Sequence, residues 1–158
     1  MDTNQKINVY IEIEQNSNIK YEFDKKHGKL IVDRILDEPY VYPYAYGYIP
    51  NTLADDNDEL DILIITNKEC KNDSYYDVYI IGCLLMEDEK GMDEKILCVF
   101  EEDYDKIYDI SQINDNIKNK IYSFFSNYKN KSEDRWSKVI GFVNKDEAIE
   151  LYKKSLLE

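Results

Sequence analysis

An α+β fold with a mainly β core, centred on a small and strongly curled sheet, is what this chain predicts. Two observations point there: short alternating or apolar runs separated by turn residues fill the first two-thirds, and apolar positions at helical spacing follow. At 158 residues the chain fits one domain spanning 1–158. That length buries a core without a disulfide or a structural metal.

The alternation starts early. In Val9-Tyr10-Ile11-Glu12-Ile13-Glu14 and Ile19-Lys20-Tyr21-Glu22-Phe23-Asp24, apolar and polar residues take turns. Each segment is therefore expected to bury one face, with Glu12 and Glu14, then Lys20, Glu22 and Asp24, on the other. Lys25-Lys26-His27-Gly28 closes a hairpin into Leu30-Ile31-Val32-Asp33-Arg34-Ile35. Strict alternation puts Arg34 on the side of Leu30 and Val32, an odd place for a charge unless an anion meets it. Residues 40–50 read as a packed loop held by prolines, whose five tyrosines supply area and hydroxyl donors. Further strands are expected over 62–66, 76–86 and 95–100, with turns at Asn72-Asp73-Ser74 and Glu89-Lys90-Gly91. Helices are expected to dominate the last third. Ile113, Ile117, Ile121, Phe125 and Tyr128 make one core-facing stripe. Asn144-x-x-Glu147 has the form of a capping box before an apolar face of Ala148, Ile149, Tyr152 and Leu156.

Charge narrows the function. A net charge of -13 and a pI near 4.5 oppose binding to nucleic acid by phosphate neutralisation. Any polyanionic substrate requires bound divalent cations and a few fixed Lys and Arg side chains to reverse the local sign. Cys70, Cys83 and Cys98 are widely spaced, form no ligand motif, and read as ordinary thiols of a reducing compartment. The start lacks a signal-peptide layout, and no apolar run approaches the ~18 residues of a membrane span. A cytoplasmic protein with no membrane partner is expected. His27, the sole histidine, reads as an exposed turn residue, and its isolation removes most zinc sites and any histidine-based catalytic triad.

Two acidic clusters carry the chemistry. Asp56-Asn57-Asp58-Glu59-Leu60-Asp61 places three aspartates within six residues immediately before an apolar strand. Carboxylates crowded in a drying environment bind protons or cations, and hard oxygen ligands favour Mg2+, Mn2+ or Ca2+ over zinc. Taken alone, the same turn also reads as a solvated acidic cap. The second cluster, Asp88-x-x-x-x-Asp93-x-Lys95, sits at a turn between two expected strands, so the two turns can converge. An EF-hand loop starting at Asp56 fails its register at Leu60, Asp61 and Asn67. An oligonucleotide-binding OB module, suggested by the fifteen tyrosines, is opposed by the acidic balance.

The order of these motifs resembles the soluble family I inorganic pyrophosphatases. The resemblance runs through Glu12-Ile13, Lys20-Tyr21-Glu22, Val32-Asp33-Arg34 and Tyr42-Pro43-x-x-Tyr46-Gly47-Tyr48-Ile49-Pro50. It continues through Asp56 to Ile62, Gly82-x-Leu84-x-Met86, Asp88, Asp93-x-Lys95, Phe124-Phe125-x-x-Tyr128-Lys129 and Trp136. It implies a five-stranded OB-like closed barrel flanked by two main helices. It also implies Mg2+-dependent hydrolysis of pyrophosphate to two orthophosphates by direct attack of a metal-bridged water, with several Mg2+ ions per site and Mn2+ as a substitute. By that resemblance Asp56, Asp61 and Asp93 are ligands of the principal metal, Asp88 binds a further metal, and Glu22 acts through water on another. Asp58 takes the nucleophile's proton. Lys20, Arg34, Lys95, Tyr128 and Lys129 surround the phosphates, Tyr42 and Tyr46 line the cavity, and Glu12 is a cavity residue of unassigned role. The family also implies a homo-oligomer, either a hexamer or a dimer. Ser123 and Asn127 stand where many bacterial relatives place histidines at subunit contacts, while Ala45 and Glu59 depart from the usual asparagine and proline.

Overall fold

The computed structural model describes residues 4–55, 57–129 and 135–157. In chain order its strands are β1 (Ile7–Ile13), β2 (Ile19–Asp24), β3 (Lys29–Ile35), β4 (Ala45–Ile49), β5 (Leu60–Ile64), β6 (Ser74–Asp88), β7 (Gly91–Met92), β8 (Lys95–Val99) and β9 (Ser137–Asn144). The helices are α1 (Glu101–Tyr104), α2 (Asp115–Asn127) and α3 (Lys145–Ser155), with a single 3-10 turn at Ile110–Gln112.

Strand pairing runs β1-β4-β5-β8-β6, and β6 returns to pair with β1, so five strands close into a barrel of the OB-like kind. Closure leaves no free edge in the ring. The length of β6 makes this possible: its first residues pair with β1, its middle with β8, and its later residues with β7 and β9.

Period-two alternation sorts the ring strands between two cores. Val9, Ile11, Ala45, Ile49, Ile62, Ile64, Ile80, Ile96 and Cys98 form an interior cluster to which all five ring strands contribute, joined by Ala148 of α3. Leu63, Leu97, Val99, Leu84 and Met86 belong to a second cluster with Ile121, Phe124 and Phe125 of α2. Asp61 shares the outward face with Leu63, and Lys95 with Leu97, so the functional side chains point away from the barrel axis.

Several expectations are corrected. Residues 40–50 are not merely a loop: they contain β4, and Pro43 and Pro50 lie outside its ends, where a missing N–H costs no ladder bond. The last third holds a strand as well as helices, since β9 pairs along β6 from Gly82 to Asp88. β1 buries both faces, because the β2–β3 hairpin lies over Tyr10 and Glu12; the Tyr10 and Phe23 rings meet edge-on at 5.4 Å. Asn144 does cap α3, its side chain accepting the Glu147 N–H at 3.0 Å, but Leu156 falls beyond the helix and is exposed. His27 sits in the exposed hairpin turn as expected, paired with Asp24. No helix among the described residues is long and apolar enough to cross a membrane.

Gly47 is required where β4 meets β1. A Cβ there would lie 1.8 Å from the Tyr10 carbonyl oxygen and 2.9 Å from Ile11 Cα, both backbone atoms that cannot rotate away. Gly47→Ala is expected to cost at least about 3 kcal/mol by forcing the ladder apart. Urea unfolding measures this; a midpoint equal to the parent's would show that the strands separate freely.

Candidate active site

A cavity of about 780 Å3 opens where the β2–β3 hairpin, the end of α2 and the β6–β7 turn wall off the outward face of β4, β5 and β8. Glu12, Lys20, Glu22, Arg34, Tyr42, Tyr46, Asp58, Asp61, Asp88, Asp93, Lys95, Tyr128 and Lys129 all line it. These are the residues expected from sequence except Asp56, which lies outside the described residues.

The hairpin delivers two cations through an irregularity. Lys20 pairs with Arg34 and Tyr21 with Val32, so Asp33 and Arg34 together oppose Lys20 as a β-bulge. Directly paired side chains share a face, and the extra residue therefore moves Arg34 from the side of Val32 to that of Lys20, Glu22 and Ile31. The odd placement that strict alternation implied is thus removed by one residue. Lys20 Nζ also donates to Asp33 Oδ2 at 2.9 Å.

Lys95 stands at the centre. Its ammonium donates to Asp61 Oδ2 at 2.7 Å, to Asp93 Oδ2 at 2.9 Å and to the Tyr46 hydroxyl at 2.6 Å, with its side chain only 3 % exposed. The parallel pairing of Asp61 with Lys95 brings the two acidic clusters together, since Asp93 lies two residues before Lys95. Burial opposes the Lys95 charge, but Asp61 and Asp93 outweigh it and hold the ammonium's pKa well above the ordinary lysine value. Burial raises the Asp61 carboxyl despite Lys95; at Asp93 the same burial is overcome by Lys95, leaving that carboxyl below the usual range. Tyr42, Tyr46 and Tyr128 are pushed up by burial and stay protonated hydrogen-bond donors at neutral pH. Their rings pack together with Phe124 and Phe125, which fixes the hydroxyl positions.

Glu12 is buried at the cavity floor, where its Oε2 accepts the Phe23 N–H at 2.8 Å. Burial pushes its carboxyl up to about 8, against the lowering effect of that hydrogen bond. A carboxyl raised by folding leaves the folded state holding a proton the unfolded chain has released, so metal-free protein should lose stability between about pH 4.5 and 8. Glu12→Gln should remove that loss, raising the thermal midpoint at pH 8 while leaving it nearly unchanged at pH 4. Parallel melting curves for the two proteins at both pH values would refute this.

Sequence reasoning left out Lys25, Lys26, Glu89, Lys90 and Arg135, which line the cavity as well, along with Asp33. Adjacency was the available signal: Asp33 precedes Arg34, Glu89 follows Asp88, and Arg135 precedes Trp136. Lys25 pairs with Glu59, tying the hairpin turn to the acidic loop. Lys129 reaches Asp88 Oδ2 at 3.2 Å and Glu89 Oε2 at 3.3 Å.

The donor chemistry fits a hard divalent cation. The acidic lining offers only carboxylate oxygens, while Cys83 and Cys98 lie in the barrel interior and His27 in the hairpin turn. Among the described residues no three such side chains by themselves gather closely enough to hold an ion, and Lys95 stands between Asp61 and Asp93.

A closed five-stranded OB-like barrel bearing an acidic cavity ringed by Lys, Arg and Tyr offers the side chains that a metal-using phosphoryl hydrolase needs. The family sequence profile described as inorganic pyrophosphatase matches residues 9–158. An inorganic pyrophosphatase from Campylobacter jejuni is 42% identical over 98% of this chain and 92% of that protein. One from Nanoarchaeum equitans is 44% identical over 93% of each. The solved inorganic pyrophosphatase from Helicobacter pylori superposes with a TM-score of 0.91 at 39% identity, covering 96% of this chain and 91% of that one. The Thermus thermophilus structure gives 0.92 at 35% identity, with 98% and 91% covered. This chain belongs to the inorganic pyrophosphatase family, whose members are metal-dependent hydrolases.

Proposed function

We propose that the chain hydrolyses inorganic pyrophosphate to two orthophosphates in a Mg2+-dependent reaction, by direct attack of water. The observation that carries this reading is the presence, within one cavity, of the carboxylates Asp61, Asp88 and Asp93 together with the cations Lys20, Arg34, Lys95 and Lys129. Asp61 and Asp93, with Asp56, would hold the principal metal, Asp88 a further one, and Glu22 another through water. The chemistry a bound Mg2+ would supply there is polarisation of the phosphoryl oxygens and a lowered pKa of the attacking water, with Mn2+ as a fitting substitute.

The remaining work belongs to side chains. Asp58, exposed at the cavity edge, takes the proton of the attacking water. Arg34 presents a planar fork to phosphate oxygens beside the point charge of Lys20. Lys95 and Lys129 offset charge as it shifts toward the departing phosphate, and the Tyr42, Tyr46 and Tyr128 hydroxyls donate without titrating near neutrality. No covalent intermediate is needed, which agrees with the absence of cysteine from the lining among the described residues. We further propose a cytoplasmic homo-oligomer, a hexamer or a dimer.

Phosphate release from pyrophosphate tests the reading. Release should require Mg2+ and stop when a chelator is added. A pure preparation inactive from neutral to alkaline pH in millimolar Mg2+ would remove it.

A further inference from the structure

We propose that Glu89 is a positioning residue that holds the Lys129 ammonium at the diphosphate, with the Trp136 backbone as its own anchor. The inference rests on the assignment of Lys129 to the phosphates made above. Among the described residues Lys129 Nζ has two anionic partners, Asp88 Oδ2 at 3.2 Å and Glu89 at 3.3 Å from Oε2 and 3.5 Å from Oε1. The two carboxylates differ in what else they do. Asp88 takes the Lys90 N–H on its Oδ1, leaving Oδ2 as the oxygen over which Lys129 competes with a divalent cation. Glu89 is fixed independently, its Oε1 accepting the Trp136 N–H at 2.9 Å, a donor that never titrates. When a cation takes Asp88, Glu89 is the partner that stays.

Without it, a long side chain following the end of α2 regains rotamer freedom that must be lost again on binding substrate. The pair is also enclosed enough to matter, with side-chain exposures of 11% for Lys129 and 22% for Glu89. Glu89 spans two elements in this way, joining the residue after the α2 cap to the start of β9.

Glu89→Gln separates three explanations because the signs differ. The amide oxygen still accepts the Trp136 N–H, so a purely structural role predicts no change. Removing an anion beside a polyanion predicts tighter binding if repulsion alone is at work. Positioning predicts weaker binding, by about tenfold for a charge-assisted contact of this enclosure. The probe is methylenediphosphonate, a diphosphate analogue that water does not cleave, titrated by calorimetry into protein loaded with Mg2+. A tenfold loss in Glu89→Gln that disappears in a Lys129→Ala background is the expected result. Equal or tighter binding overturns the proposal.

A second arm needs no diphosphate. In Mg2+ alone, acylation of Lys129 followed by peptide mass spectrometry should run several-fold faster in Glu89→Gln than in the parent, and equal rates overturn the proposal. If the parent neither releases phosphate nor binds the analogue, the functional reading fails while the labelling still judges the clamp.

Discussion

Lys95→Met is expected to cost about 3–5 kcal/mol of folding stability in metal-free protein, because it leaves Asp61 and Asp93 facing each other without their shared cation. Methionine nearly matches the volume, so the loss reports charge and not a cavity. The sign with pH follows from the shifts. Lys95, raised by folding, contributes stability below about pH 10.5 that disappears as pH climbs through its folded value. Asp93, lowered by folding, contributes stability above about pH 3.8 that disappears as pH falls through its folded value. The parent–variant difference should therefore be full across neutral pH and shrink at both extremes. Mg2+ should restore part of it in the variant, since a divalent ion offsets the same carboxylates. Urea titrations at pH 7 with and without Mg2+ measure both effects. A variant as stable as the parent at pH 7 would show that the ion pair contributes nothing.

Asp58→Asn is expected to lower kcat by about 10²–10⁴ while barely moving stability. Asparagine keeps the size and a hydrogen-bond acceptor but has no basic oxygen for the proton of the attacking water. Asp58 is exposed, so little of the core depends on it, and the thermal midpoint should stay within about 1 °C for a change well under 0.5 kcal/mol. Residual activity should rise with pH more steeply than the parent's, because hydroxide in solution then replaces the missing base. Steady-state kinetics from pH 6 to 10 decide the matter. A parental kcat in this variant would move the proton acceptor to another carboxylate of the cavity.

How much was legible depends on the range over which each feature is specified. The β2–β3 hairpin could be read directly, since alternating residues and the Lys25-Lys26-His27-Gly28 turn are local, and Gly28 adopts a φ of +66°. α2 was equally plain from its apolar stripe. β4 was hidden because its tyrosines and flanking prolines look like loop chemistry until a neighbour supplies the ladder. β9 was hidden because its residues, Ser137 to Asn144, pair with Asp88 back to Gly82 of β6, a partner no local window contains.

The cavity divides in the same way. The kinds of side chain and their order in the chain pointed to a carboxylate and cation site before any fold was known. Arg34 lines the cavity, yet alternation put it beside Val32, because a bulge appears only when two strands are matched residue by residue. Glu89 and Arg135 were passed over since nothing nearby marks a charged neighbour as facing inward.

The amino-acid order alone determined the α+β class, the hairpin, the main helices and the chemical inventory of the site, because steric preference and apolar periodicity act over a few residues. Closure of the ring, the burial of Glu12 beneath the β2–β3 hairpin and the position of Lys95 between Asp61 and Asp93 were decided by tertiary structure. Those features arise only when distant segments exchange water for one another, and the energy of that exchange depends on which partners meet.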